Sequence, residues 1–127
     1  MATQSIVGEK SLAFGKRIAK CYRYLKDKKK ETVMSKQLLR CGTSIGANVR
    51  EGLYAQSRKD FISKLNIALK EARENLYWIN LLHRNKYLDE KQYESLNNDC
   101  EELVRILVSR CRKLDTDSSR AEGLSMK

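Results

Sequence analysis

The sequence predicts an all-α protein, an up-down-up-down four-helix bundle, and three observations carry that prediction. None of its 127 residues is proline, the residue that breaks helices and marks loops. Apolar residues recur at +3 and +4 steps in four successive stretches, the period of one helical face. No stretch shows the alternation of a half-buried strand, and the connections are short enough for antiparallel neighbours. Hydrophobic residues make up 41% of the chain, enough for one core, and the length favours one domain over residues 1–114. Residues 115–127, "DTDSSRAEGLSMK", are polar and aperiodic and are expected to be a disordered tail.

The first helix is expected from about Ser5 to Lys28, with Phe14, Ile18, Cys21 and Leu25 on one face. "KDKKKET" is a charged connector. The second helix starts near Thr32 and carries Met34, Leu38, Cys41 and Ile45, with Asn48 at the next position of the same stripe. Gly52 is placed to end it in a left-handed cap. Ser57, with Asp60 three residues on, has the form of a capping box. It opens a third helix to about Arg84, with Phe61, Leu65, Ala68, Ala72, Ile79 and Leu82 inward. Asp89 with Gln92 opens the fourth in the same way. Tyr93, Leu96, Cys100, Leu103, Leu107, Cys111 and Leu114 then line its core face. The cysteines Cys21, Cys41, Cys100 and Cys111 all fall on these stripes. Their spacing matches no zinc motif, so reduced core cysteines are expected.

Two features go beyond a plain bundle. Gly42 and Gly46, at i and i+4 in "CGTSIGAN", lack the lysine and the preceding strand of a phosphate-binding loop. Two glycines inside a helix cost roughly 1 kcal/mol each relative to alanine. Close approach of another helix is the usual offset, so Gly42, Gly46 and Asn48 mark a tight helix–helix seam, with Asn48 as a polar group facing the core. On the third helix, Ile67, Trp78 and Leu81 lie opposite the Phe61–Ala68 stripe, with Glu71 and Glu74 among them. Two apolar faces imply two buried sides, the second against another subunit.

The blocks "SKQLLRCGTSIGANVREG", "QSRKDFISKLNIALKEARENLYWINLL" and "DCEELVRILVS" resemble the bacterial four-helix-bundle family encoded by intervening sequences in 23S rRNA genes. The likeness runs from about Lys10 to Leu114. It implies a homo-oligomer, a pentameric ring of bundles. A more distant fold relative is the accessory variability determinant protein of diversity-generating retroelements, which is basic and works with a reverse transcriptase and nucleic acid. RNA or DNA, and a nucleic-acid-processing protein, are the partners this implies besides the protein itself. The resemblance carries over no catalytic residue.

Net charge is +10 with a pI near 9.6, which suits an anionic partner. Residues 10–40 hold eleven Lys and Arg against Asp27 and Glu31, whereas 86–104 hold six carboxylates against Lys86 and Lys91. Lys16, Lys20, Arg23 and Lys26 point away from the first helix's apolar stripe, Lys28, Lys29 and Lys30 extend the positive field, and Tyr22 and Tyr24 lie nearby as candidate stacking groups. This face fits three readings: a solvated surface, a nucleic-acid interface, or a dock for a neighbour's Glu90, Glu94 and Glu101. A basic amphipathic helix also suits a membrane surface, but its apolar face is claimed by the core. No RNA-binding or helix-turn-helix signature is present, so binding would be directed at the backbone, with weak sequence selectivity.

Enzymatic chemistry finds no support. His83 is the only histidine, and no nucleophile has an evident base partner. Glu71 and Glu74 are one turn apart, but the Glu-x-x-His signature of di-iron bundles is missing, so a polar network or an interface salt bridge is expected there rather than a metal. No run approaches the roughly 20 apolar residues of a spanning helix. "MATQSIVGEKS" lacks the charged and apolar regions of a signal peptide, so the cytoplasm is the expected compartment. The expectation is a cytoplasmic, non-enzymatic, oligomeric bundle without cofactor or metal that binds RNA or DNA through its first helix. The alternative is a ring-forming protein-interaction scaffold with no nucleic-acid ligand.

Overall fold

The computed structural model describes the backbone of residues 2–125 and the side chains of residues 6–114. It consists of four antiparallel helices: α1 (Ala2–Asp27), α2 (Met34–Leu53), α3 (Arg58–Arg84) and α4 (Glu90–Ser125). No strand occurs among the described residues. Each helix packs along its neighbours in chain order, and α4 returns to α1 to close the bundle. The tail expected over 115–127 lies outside the residues whose side chains are described, although α4 itself is assigned as far as Ser125.

The apolar stripes form one continuous core. Ile18, Leu25, Leu38, Ile45, Ile79, Leu82 and Leu107 are fully buried, and Phe14, Leu65, Leu96 and Leu103 nearly so. Burying side chains of this size contributes roughly 1.5–3 kcal/mol each, so the +3/+4 stripe, more than intrinsic propensity, holds each helix in place. Cys41, Cys100 and Cys111 are buried and Cys21 is half-buried, and none of the four is in a disulfide.

Local chemistry sets the helix ends. Ser57 Oγ accepts from the Asp60 amide at 3.1 Å, and Asp89 and Gln92 satisfy each other's backbone amides at 2.8 and 2.9 Å. Both boxes open helices where the spacing predicts. α2 begins two residues later than expected, because its cap is not a local hydroxyl. The Glu31 carboxylate accepts from the amides of Val33, Met34 and Ser35 at 2.7–2.8 Å. Glu31 is buried, and its charge faces the positive end of α2. After α3, Lys86 takes a left-handed φ of 66°. Its amide donates to the His83 carbonyl and that of Tyr87 to the Leu82 carbonyl, which is a Schellman closure with lysine where glycine is usual.

Gly52 does not end α2 in a left-handed cap: no glycine among the described residues has positive φ, and the helix runs on to Leu53 with Tyr54 as its C-cap. Gly52 is instead buried, and a Cβ there would lie 3.3 Å from Lys64 Cβ and 3.4 Å from Phe61 Cδ1. Its missing side chain admits α3, so the glycine serves packing rather than a turn.

Candidate nucleic-acid interface

Position along α1 decides which of its cations stay available. Lys10 and Arg17 lie on the flank facing α4. Lys10 Nζ sits 2.8 Å from Glu102 Oε1. Arg17 reaches Asp99 Oδ2 at 2.6 Å, Ser95 Oγ at 2.9 Å and the Ser95 carbonyl at 3.3 Å. The hydrogen bond to Glu102 and its charge raise the pKa of Lys10. These exposed pairs add little to stability, yet they consume the positive charge on that flank. Lys16, Lys20, Arg23 and Lys26 are all exposed on the outer side, and Lys28, Lys29 and Lys30 continue the exposed run into the connector. Lys30 turns there with φ 58°. None of these seven forms an ion pair among the described residues. Tyr22 and Tyr24, expected as stacking groups, are half-buried, and Tyr24 packs against the core.

The acidic flank of α4 is partly engaged from within. Glu90 Oε2 lies 2.8 Å from His83 Nε2, and the His83 ring stacks on Tyr93 at 4.0 Å, so the histidine clips α3 to α4. Glu101 accepts from Asn97 at 2.9 Å, while Glu94 is exposed.

The glycine seam is where α1 crosses α2. A Cβ on Gly42 would fall 2.7 Å from Ile18 Cγ2, 2.9 Å from Ile18 Cγ1 and 3.0 Å from Asn75 Nδ2, and one on Gly46 would fall 3.3 Å from the Ser11 carbonyl oxygen. Asn48 does not face the core as its stripe position suggests. It is half-buried and donates to the Ser44 carbonyl at 2.9 Å and to Ser44 Oγ at 3.0 Å, back-bonding within its own helix. The core polar group is Asn75, which is fully buried. It donates to the Leu38 carbonyl at 3.1 Å and contacts Cys41 Sγ at 3.1 Å, while Cys100 Sγ lies 3.7 Å from its Oδ1. Its signal was present, since Asn75 fills the stripe position between Ala72 and Ile79. Burial pushes the nearby thiols up, to about 11 for Cys41 and about 12 for Cys100.

On the flank of α3, Ile67 is 38% exposed, Trp78 and Leu81 are half-buried, and Trp78 packs against the core. Trp78 meets Tyr77 edge-on at 4.9 Å and donates from Nε1 to Glu74 at 3.0 Å. Glu71 and Glu74 are both held by Arg40 of α2. Sequence reasoning missed that cation, because only the rotation of α2 against α3 brings it to these carboxylates. Among the described residues no cluster of His, Cys, Asp or Glu suits a metal ion, and no helix is long and apolar enough to cross a membrane.

Fold and surface together define a small four-helix bundle whose α1 carries an outward strip of cations with no ion pair among the described residues. The family model of the 23S rRNA-intervening sequence protein matches residues 3–109, and the chain belongs to that family. It is similar to a solved structure, at 1.70 Å resolution, of a protein of unknown function from the S23 ribosomal protein family of Bacteroides thetaiotaomicron. The two are 55% identical, the match covers 87% of this chain and 98% of the other, and the TM-score is 0.85. Comparison with curated proteins gave no match.

Proposed function

We propose that this protein is a non-enzymatic, cytoplasmic nucleic-acid-binding bundle that holds RNA or DNA by the phosphate backbone through α1. One observation carries the reading. Of the six cations on α1, the two that face α4 are neutralised and the four that face solvent, Lys16, Lys20, Arg23 and Lys26, are left free among the described residues. A bundle that needed charge only for its own packing or closure would place it at the α1–α4 seam. Instead these four form one outward strip continuous with Lys28–Lys30, on a chain of net charge +10. Such a strip attracts polyanions and releases their counterions on contact. With no base-reading loop beside it, recognition would be weakly sequence-selective.

We further propose assembly into a homo-oligomer through the outer face of α3, around Ile67, Trp78 and Leu81, with five copies the number that the family resemblance implies. The same face supports the second reading, a ring-forming scaffold for protein partners in which α1 serves only solubility.

Purification from host cytoplasm with and without nuclease tests the first reading. Nucleic acid should travel with the untreated protein at about 50 mM salt and be released as salt rises. A protein that retains none at that salt, and binds none added back, would leave the scaffold reading standing.

A further inference from the structure

We infer that the α1 face is built for a nucleic-acid duplex rather than a single strand, and for B-form DNA before A-form RNA; this rests on the nucleic-acid reading above. The first ground is shape. α2 lies on the side of α1 where Gly42 and Gly46 approach Ile18 and Ser11, and α4 lies on the side of Lys10 and Arg17. At about 100° per residue, Lys16 points straight out from the bundle, Lys20 turns about 40° toward α4, Arg23 about 20° toward α2, and Lys26 about 80° toward α2. The cations therefore straddle a convex ridge and span about 15 Å from Lys16 to Lys26 at ~1.5 Å per residue. Glu9 and Asp27, both exposed, share the outward phase and bracket the strip.

A ridge with charge on both flanks fits a ligand that brings its own groove with a phosphate rail on each rim. An α-helix with its side chains is about 10–12 Å thick, and the B-form major groove is about 12 Å wide. The A-form major groove is too deep and narrow to receive it. A single strand offers one rail and would leave part of the strip unmet.

The second ground is the missing machinery for single strands. Proteins that hold single strands combine a cationic groove with exposed aromatic platforms for the bases. Here Tyr22 and Tyr24 are half-buried beside the strip. The exposed tyrosines lie elsewhere, Tyr54 beyond the far end of α2, where Leu53 meets Gly8, and Tyr77 on α3. Among the described residues, a hollow of about 360 Å3 runs along α4 beside Val104 and Val108, and a smaller one lies near Val7, Val49 and Phe61; neither includes a residue of the strip.

The test is a fluorescence-anisotropy titration of the full chain with one labelled sequence, presented as single-stranded DNA, duplex DNA and duplex RNA, from about 50 mM salt upward. Duplex DNA should bind several-fold tighter than either other form, with a log–log salt slope of about −2.7 to −3.6 for three or four phosphate contacts. Combined Lys16→Gln, Lys20→Gln, Arg23→Gln and Lys26→Gln should remove most of that slope while helix content stays unchanged. Single-stranded DNA binding as tightly as the duplex would overturn the duplex inference and leave the broader nucleic-acid reading intact. Duplex RNA binding tighter than duplex DNA would overturn the groove geometry. A substituted protein that keeps the wild-type slope would overturn the assignment to α1, and no binding of any form would overturn both readings.

Discussion

Replacing Gly42 with alanine sets two physical effects against each other in the α1–α2 crossing. Helix propensity alone favours alanine by roughly 1 kcal/mol. The added Cβ, however, would sit 2.7 Å from Ile18 Cγ2 and 2.9 Å from Cγ1. Ile18 is fully buried, and a β-branched side chain in a helix has essentially one χ1 rotamer, so it cannot swing aside; the helices must part. Overpacking of this kind costs about 1–3 kcal/mol. The same Cβ would come 3.0 Å from Asn75 Nδ2, disturbing a buried hydrogen bond worth roughly 0.5–1.5 kcal/mol. The packing side wins, with an expected net loss of about 1–3 kcal/mol, or a fall in Tm of roughly 4–12 °C for a domain of this size. Gly15 is the control. Nothing lies within 4 Å of its virtual Cβ, so Gly15→Ala should raise Tm by a few degrees, at most about 1 kcal/mol. Thermal unfolding followed by circular dichroism at fixed protein concentration measures both. In an Ile18→Ala background the penalty of Gly42→Ala should shrink by about 1 kcal/mol or more. If Gly42→Ala raises Tm as Gly15→Ala does, the close crossing is not there.

Three further expectations follow from the same geometry. Wild-type protein should scatter light with a mass several-fold above 14.7 kDa, and Trp78→Glu should dissociate it with helix content retained, because a charge would be buried unpaired at the interface; a monodisperse wild-type monomer would refute the α3 interface. Asn75→Asp should cost about 3 kcal/mol or more at neutral pH by placing a carboxylate in the core, and denaturant midpoints should recover as pH falls and the folded state takes up the proton; a pH-independent loss would contradict this. The thiols follow the same sign at higher pH. Burial raises Cys21 and Cys41 to about 11 and Cys100 to about 12, from an ordinary 9.0, so the folded chain holds these protons more tightly than the unfolded one. Their contribution is complete below pH 9 and declines as pH rises through 11 to 12, by at most about 1.4 kcal/mol per pH unit for each thiol. Urea midpoints should therefore fall more steeply above pH 9 in wild type than in Cys100→Ala, and equal slopes would count against the burial account.

Lys10 and Arg17 show where the cationic face passes from sequence to structure. The sequence places them among the eleven cations of residues 10–40, and their phase differs from that of Lys16 by about 100–120°. That rotation turns them toward Glu102, Asp99 and Ser95. The free strip is smaller than the positive segment, and it is the proximity of α4 that trims it.

Local chemistry was sufficient for the four helices, their core stripes and the openings of α3 and α4. A +3/+4 period and a hydroxyl or carboxylate three residues ahead of its partner act within one or two turns of chain. The outward phase of Lys16, Lys20, Arg23 and Lys26 follows from the same period. Tertiary structure decided whatever depends on how the helices are rotated and spaced against each other. It put Asn75 rather than Asn48 in the core, although both occupy stripe positions. It made Gly52 a contact with α3 instead of a turn and brought Arg40 to Glu71 and Glu74. Each of these depends on the distance between elements, and a periodic pattern along one helix carries the direction of a side chain but not what stands opposite it.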